Sequence, residues 1–510
     1  MIHAYSIVVR SVRLFFLFCS VVCSACVITQ TSAPNEIEAF IQSEMQKAHI
    51  PGISIARITN GAIEWHHALG YANADTQIAV TDDTVFEAAS LSKPVLAYIV
   101  WRFVEEGKLS LDQPLHTLLK NPRFADKAAA EKITARLILS HQTGLPNWGG
   151  ESLSFNFAPG DGFGYSGEGY VYLQNVVETI SGKDFETLAQ EMVFTPLGME
   201  NSRFTWTQEQ EFTLASAHDR AANPVYRWIP DANAAASLHT TAKDYATFLA
   251  HLSTKMQQHA SPFSESQIAL KGDERGGEPL DEEHQLGWGL GWGIDASSTN
   301  YRFWHWGDNG VFRAFVAFEP LSGDGLVYFA NSQNGLAISQ VLMDTYFSPM
   351  PAVFTWLGYP QSSEPLWQTE QAGYIAEEEQ RYLDAVRNFA QVVAAFPDHK
   401  RLATRILWLQ DFHRATASPE PFTDDTAATL IGQYGPRTLS WENGTLFYQR
   451  GQGARFEVIQ LDNGMLGLQG VISFRLSVER DSTGTATKLI GHYVEGGRDE
   501  SPRTPQATSD

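Results

Sequence analysis

Between Glu87 and Gly107 the chain is apolar on almost every helical face. Val95-Leu96-Ala97-Tyr98-Ile99-Val100-Trp101-Arg102-Phe103-Val104 has no breaker after Pro94. A helix hydrophobic all round is a buried helix. Proline is tolerated in a first turn, where its missing N–H had no partner anyway. The pattern predicts a central buried helix with Ser90 and Lys93 in its first turn.

The flanking patterns are those of a mixed fold. Asn35 to Lys47 reads as an amphipathic helix. Two β-like runs, Gly52 to Thr59 and Ala62 to Ala68, surround Asn60-Gly61, the strongest short hairpin signal. A long, mainly helical stretch extends to Met199, and within it Tyr170, Leu173, Val176, Val177 and Ile180 share one face of a helix stopped by Gly182. Thr241-Ala242-Lys243-Asp244 is a capping box opening a helix through Leu252. Lys255 to Gln285 is polar and predicts a loop-rich insertion. Alternating runs follow at 287–293, 303–307, 312–318 and 327–331, then a helix from Ile338 to Phe347. With β elements at both ends and helices between, the pattern fits an α+β domain over residues 34–350, helices packed on an antiparallel sheet.

Residues 351–425 read as a Pro- and Ser-rich linker (351–366) followed by about two helices. Residues 426–497 change to short strands with two more Asn-Gly hairpins, at Asn443-Gly444 and Asn463-Gly464, and predict a small antiparallel meander or barrel. The tail 498–510 is polar and reads as disordered.

Composition changes the picture at two points. The net charge of −22 argues against nucleic acid or anionic membrane surfaces as partners. Cys19, Cys23 and Cys26, the three cysteines, all lie in the first 33 residues, where Arg10 and Arg13 precede an apolar run from Leu14 to Ile28. That is the layout of a secretory signal, too short for a convincing membrane span. The expected location is therefore secreted or periplasmic. Cys23-Ser24-Ala25-Cys26 loosely resembles a lipoprotein cleavage site with Cys26 acylated; cleavage near Ala25 or Ala33 is the alternative. The only membrane contact foreseen is a lipid on Cys26, and oligomeric state is not readable.

Candidate chemistry centres on Ser90 and Lys93. Residues three apart on a helix are neighbours, so the amine can reach the hydroxyl. A serine needs a base to become a nucleophile, and a desolvated lysine can be one. Ser90 as a plain N-cap is the alternative. Gly162, Gly164 and Gly167 match a dinucleotide fingerprint, but Pro159-Gly160 stands where its strand should end. His141, after Leu139-Ser140, reads as structural. Trp288, Trp292, Trp304 and Trp306 read as packing rather than substrate platforms. No cofactor or metal motif is present.

Ser90-x-x-Lys93, Tyr165-x-Gly167 and His305-Trp306-Gly307 occur in that order, with Leu139 to Pro146, Pro159-Gly160, Pro196-Leu197-Gly198-Met199 and Thr241 to Asp244 around them. In these the chain resembles the β-lactamase-related serine hydrolases: penicillin-recognising enzymes, D-aminopeptidases and related esterases. The resemblance implies a β-lactamase/transpeptidase-like sheet with a helical subdomain and no cofactor. It implies Ser90 as acylated nucleophile, Lys93 and Tyr165 as acid/base pair, and His305 hydrogen-bonding Tyr165 or a substrate carboxylate and helping to lower the phenol's pKa. The N–H groups of Ser90 and Asp308 would form the oxyanion hole, Gly307 would let substrate approach the strand, and Gly167 and Trp306 would contact substrate. Relatives that hydrolyse β-lactams usually carry Asn where Gly167 stands. The expectation is therefore an esterase or peptidase acting on a small, D-configured or peptide substrate. A β-lactamase or D-Ala-D-Ala carboxypeptidase, and a catalytically silent binding protein, are the alternatives.

Overall fold

The computed structural model describes residues 34–504 apart from 207–212, 227–230, 259–261, 272–284, 298–299, 398, 452 and 495–496. The predicted leader with Cys26, much of the 255–285 insertion and the last six residues lie outside them.

Asn60 and Gly61 both take left-handed backbone, as a two-residue hairpin demands, and join strands Gly52–Thr59 and Ala62–Asn73. Gly52–Thr59 pairs on its other side with Asp324–Ala330, so the N-terminal hairpin sits beside the last strand of the domain. The sheet continues through Arg313–Glu319 and Arg302–Asp308 to three short edge strands, antiparallel throughout. Side chains alternate between its two faces. Ala314, Val316 and Phe318 join the core beneath the central helix, while Phe315 and Ala317 join the core beneath the N-terminal helix Pro34–Lys47. Helices therefore cover both faces of an antiparallel sheet, the α+β architecture that the pattern predicts.

The central helix is Ser92–Glu105, and its first ten residues are all buried. Its packing against the sheet, the helix Gly167–Ser181 and the helix Ala242–Gln258 makes the largest core of the molecule.

Residues 351–366 are not a linker. Pro351–Leu357 forms a helix with proline at its start and Gly358 at its left-handed end. Trp356 is fully buried, packs on Trp288, Trp304 and Trp306, and donates its indole N–H to the Lys271 carbonyl. A proline-rich composition concealed four large apolar side chains, Val353, Phe354, Trp356 and Leu357, that an exposed linker would not carry.

Three helices follow, Trp367–Glu378, Tyr382–Ala395 and Lys400–Ala417. Arg220 of the first domain reaches them, its guanidinium 4.2 Å from the Tyr374 ring centre and 3.8 Å from Glu378. The C-terminal unit is an up-and-down series of eight strands, Gly432–Tyr434 through Arg498–Pro502. Tyr434 bridges to Arg503, which closes the series into a barrel. Residues 498–502 are thus the final barrel strand, not a disordered tail. Their polar composition suits a strand whose Asp499 and Ser501 hold the buried Arg437.

Trp356→Ala is expected to destabilise the sheet domain by about 3–5 kcal/mol, read as a lower urea midpoint. An unchanged midpoint would return residues 351–366 to the status of a linker.

Candidate active site

The site grows from a bulged pair of short strands. Phe86–Ala89 pairs with Leu238–Thr240, with a register shift between Glu87 and Ala89. Ala89 then turns into left-handed backbone at φ 49°. For a residue with a Cβ that costs roughly 1–2 kcal/mol. Ser92 offsets it: its hydroxyl donates to the Ala89 carbonyl at 2.6 Å and accepts the Leu238 N–H at 2.9 Å. Asn309 adds a second tie, donating to Glu87 at 2.7 Å and to the Ala236 carbonyl at 3.1 Å.

Ser90 therefore lies in the turn before the helix rather than in its first turn. The pairing of Ala89 with Leu238 holds the chain out of helical conformation until Leu91, and the Ser90 carbonyl accepts the Lys93 N–H at 3.0 Å. The side chains still meet. Lys93 Nζ lies 3.1 Å from Ser90 Oγ and donates to the Ala235 carbonyl at 2.8 Å. Lys93 is fully buried, and loss of hydration pushes its amine well below the usual lysine range. A neutral amine that donates to Ala235 keeps its lone pair free to take the Ser90 proton.

Tyr165 comes from a distant loop and completes the group. Its ring centre is 4.7 Å from Lys93 Nζ and 4.9 Å from the Trp306 ring. A cleft of about 420 Å³ opens above them, within the usual range for small-molecule sites. Ser90, Tyr165, Asn147, Asn156, Asp308 and Tyr359 supply its polar lining, and Phe163, Leu145 and Trp306 its apolar wall. Tyr359 donates to Asp308 at 2.6 Å, and Arg313 pairs with the same carboxylate.

Four of the residues singled out in the sequence stand differently from expectation. His305 is fully buried beside Lys93, and burial drives its pKa down to about 3, so it is neutral and adds no positive charge near Tyr165. Its Nδ1 donates to the Trp306 carbonyl at 2.7 Å, and its ring is 6.3 Å from that of Tyr165. It is not among the residues that line the cleft. Gly307 is approached by the protein itself: a Cβ would meet the Ala88 carbonyl at 2.5 Å. Gly167 faces away from the cleft, under Trp148, whose ring lies 2.7 Å from where its Cβ would be. Trp306 is only 2% exposed and lines the wall mainly by packing, as Trp288, Trp292 and Trp304 pack elsewhere.

Three features escaped the sequence. Ala235 acts through a carbonyl that any residue would carry. Tyr359 was hidden by reading 351–366 as a linker. Asn147 had one signal, its place just after Leu145-Pro146 in the loop that also brings Asn156 and Tyr165 to the cleft. Its Oδ1 accepts the Gly167 N–H at 2.9 Å.

Comparison with known proteins bears on the family and the fold. The beta-lactamase family model matches residues 37–341. Penicillin-binding protein 4 of Amycolatopsis lactamdurans is 26% identical over 319 residues, 57% of this chain and 83% of that one. Protein flp of Staphylococcus aureus (strain MW2) is 21% identical over 323 residues, 58% of this chain and 63% of that one. Among solved structures, a class C beta-lactamase superposes with TM-score 0.51 at 20% identity, over 62% of this chain and 94% of that one. An octameric penicillin-binding protein homologue from Pyrococcus abyssi covers 90% of this chain and 96% of its own, with TM-score 0.50 at 18% identity.

Gly307→Ala is expected to push its strand against the Ala88 carbonyl and shift the Ser90 turn. A displacement near 1 Å costs on the order of 10²-fold in rate, read as kcat/KM. His305 makes a pH prediction. Its folded pKa of about 3 lies below the ordinary 6.5, so unfolded chains take up a proton that native ones refuse. Its stabilising effect is complete above pH 6.5 and is lost as pH falls toward 3, at up to about 1.4 kcal/mol per pH unit. Urea unfolding of His305→Gln from pH 7 to 4 should show a shallower acid loss than the parent.

Proposed function

Since the chain belongs to the beta-lactamase family of serine hydrolases, we propose that it cleaves an ester or amide bond of a small substrate without an anionic group, through an acyl-enzyme on Ser90. The observation that supports this reading is the charge of the cleft. Among the described residues, its lining holds no Lys, Arg or His and one carboxylate, Asp308, with which Arg313 is already paired. β-Lactams and D-Ala-D-Ala peptides both carry a carboxylate that needs a cationic or strong donor partner. Neutral His305 supplies neither. Neutral esters and amides, and aminoacyl groups with a free amine, suit the cleft better. D-configured aminoacyl amides are the amide substrates that the family resemblance favours.

The chemistry follows from the geometry. Lys93, neutral and held by Ala235, takes the proton as Ser90 Oγ attacks the carbonyl. The backbone N–H groups of Ser90 and Asp308 receive the developing oxyanion; one such donor is typically worth about 10²–10³ in rate. Tyr165, beside the amine, passes the proton to the leaving group and then draws one from the water that resolves the acyl-enzyme. The basic residues and apolar run near the start of the sequence support a secreted or periplasmic setting for this reaction.

An active-site serine probe such as a fluorophosphonate should label the parent and not Ser90→Ala. Labelling of neither would favour a silent binding protein. A short-chain nitrophenyl ester should turn over at least about tenfold faster, in kcat/KM, than a chromogenic cephalosporin, a margin of roughly 1.4 kcal/mol. Rapid lactam hydrolysis without ester cleavage would overturn the proposal and favour a β-lactamase.

A further inference from the structure

His141 is fully buried and belongs to no step of this chemistry. It ends the short helix Ala135–Leu139. Its N–H bonds the Ile138 carbonyl at 3.0 Å and the Gln142 N–H bonds the Leu137 carbonyl at 2.7 Å, the paired bonds of a Schellman cap. The residue at its place in that cap is left-handed and usually glycine. Here φ is 56° and the residue is histidine.

The reason lies across the gap to the Tyr165 loop. The His141 carbonyl accepts the Gly164 N–H at 2.7 Å, and its Nδ1 accepts the Ser166 N–H at 3.1 Å. One residue therefore grips the backbone on both sides of Tyr165. Its ring also lies on the Tyr165 ring, centres 4.2 Å apart at 31°. Because Nδ1 accepts, the proton of the neutral ring sits on Nε2, which has no hydrogen-bond partner among the described residues. An unpaired buried N–H typically costs about 1–3 kcal/mol. Glycine would suit the cap and an apolar ring would suit the core. Only a side chain that accepts at the Nδ1 position closes the second half of the grip.

We propose that His141 is the positioning residue for Tyr165, bracketing it so that the phenol stays over Lys93 and Ser90. The inference rests on Tyr165 being the acid/base group. Its consequence is that His141 matters only while Tyr165 has its hydroxyl.

The test is a double-mutant cycle on the full chain with the nitrophenyl ester. His141→Ala is expected to lower kcat by about tenfold or more, with KM within about threefold, because acid/base groups typically supply 10²–10⁴. In the Tyr165→Phe background the same change should cost less than about twofold. His141→Asn, which keeps an acceptor near Nδ1 and tolerates left-handed backbone, should recover most of the loss. If His141→Ala does not fold, His141→Asn and His141→Phe carry the cycle, and Phe should lose more than Asn. An equal loss with and without the Tyr165 hydroxyl, or no loss in the parent, overturns the bracket. Tyr165→Phe at parental kcat overturns the acid/base reading itself, and that result is read without reference to His141.

Discussion

The structure depends on keeping one amine dry. An ammonium taken fully out of water loses several kcal/mol of hydration even after relaxation. Among the described residues Lys93 has no ion-pair partner, and it donates to the Ser90 hydroxyl and the Ala235 carbonyl. The loss of hydration pushes its pKa well below the usual lysine range, toward the neutral form that can accept a proton. The apolar faces of the central helix, and the helices and sheet around it, provide that dryness. Stability and reactivity share a cause here: a packing defect that admitted water would raise the amine toward its ordinary value and remove the base.

The nucleophile is held by a different means, since Ser90 must face the cleft while its neighbour is buried. The strand-turn-helix joint does this with one strained residue, Ala89, and three residues that secure it. Ser92 and Asn309 fix the joint by hydrogen bonds, and Gly307 lets the neighbouring strand close against Ala88. Only the first of these lies in the Ser90-to-Lys93 segment. The sheet and the 234–238 segment place the other contacts, which is why a motif four residues long needs a domain of three hundred around it.

What was legible in the sequence follows the same division. Periodicity revealed the buried helix, the hairpin and the pairing of both chain ends into one sheet, because those depend on local pattern. The joint was misplaced by two residues because a tertiary strand pair, Ala89 with Leu238, overrides helix propensity there. Residues 351–366 were misread because composition outweighed four buried apolar positions. Backbone functions such as the Ala235 carbonyl leave no mark on residue identity. His141 reads as structural and is a fully buried residue at a helix end; its contacts on both sides of Tyr165 are tertiary and leave no pattern in the local sequence.

The charges around the site form one consistent set. Burial is the main cause holding the His141 and His305 pKa values down, and a proton on Lys93 would disfavour a proton on either of them. A histidine on this strand could act as a cation only if it were open to water, and Trp288, Trp292 and Trp306 close over His305. The one fixed charge left at the cleft wall is then the Asp308 carboxylate, already held by Tyr359 and Arg313. Among the described residues the cleft lining offers an incoming anion a carboxylate and no Lys, Arg or His, and the proposed preference for a substrate without an anionic group rests on that sign.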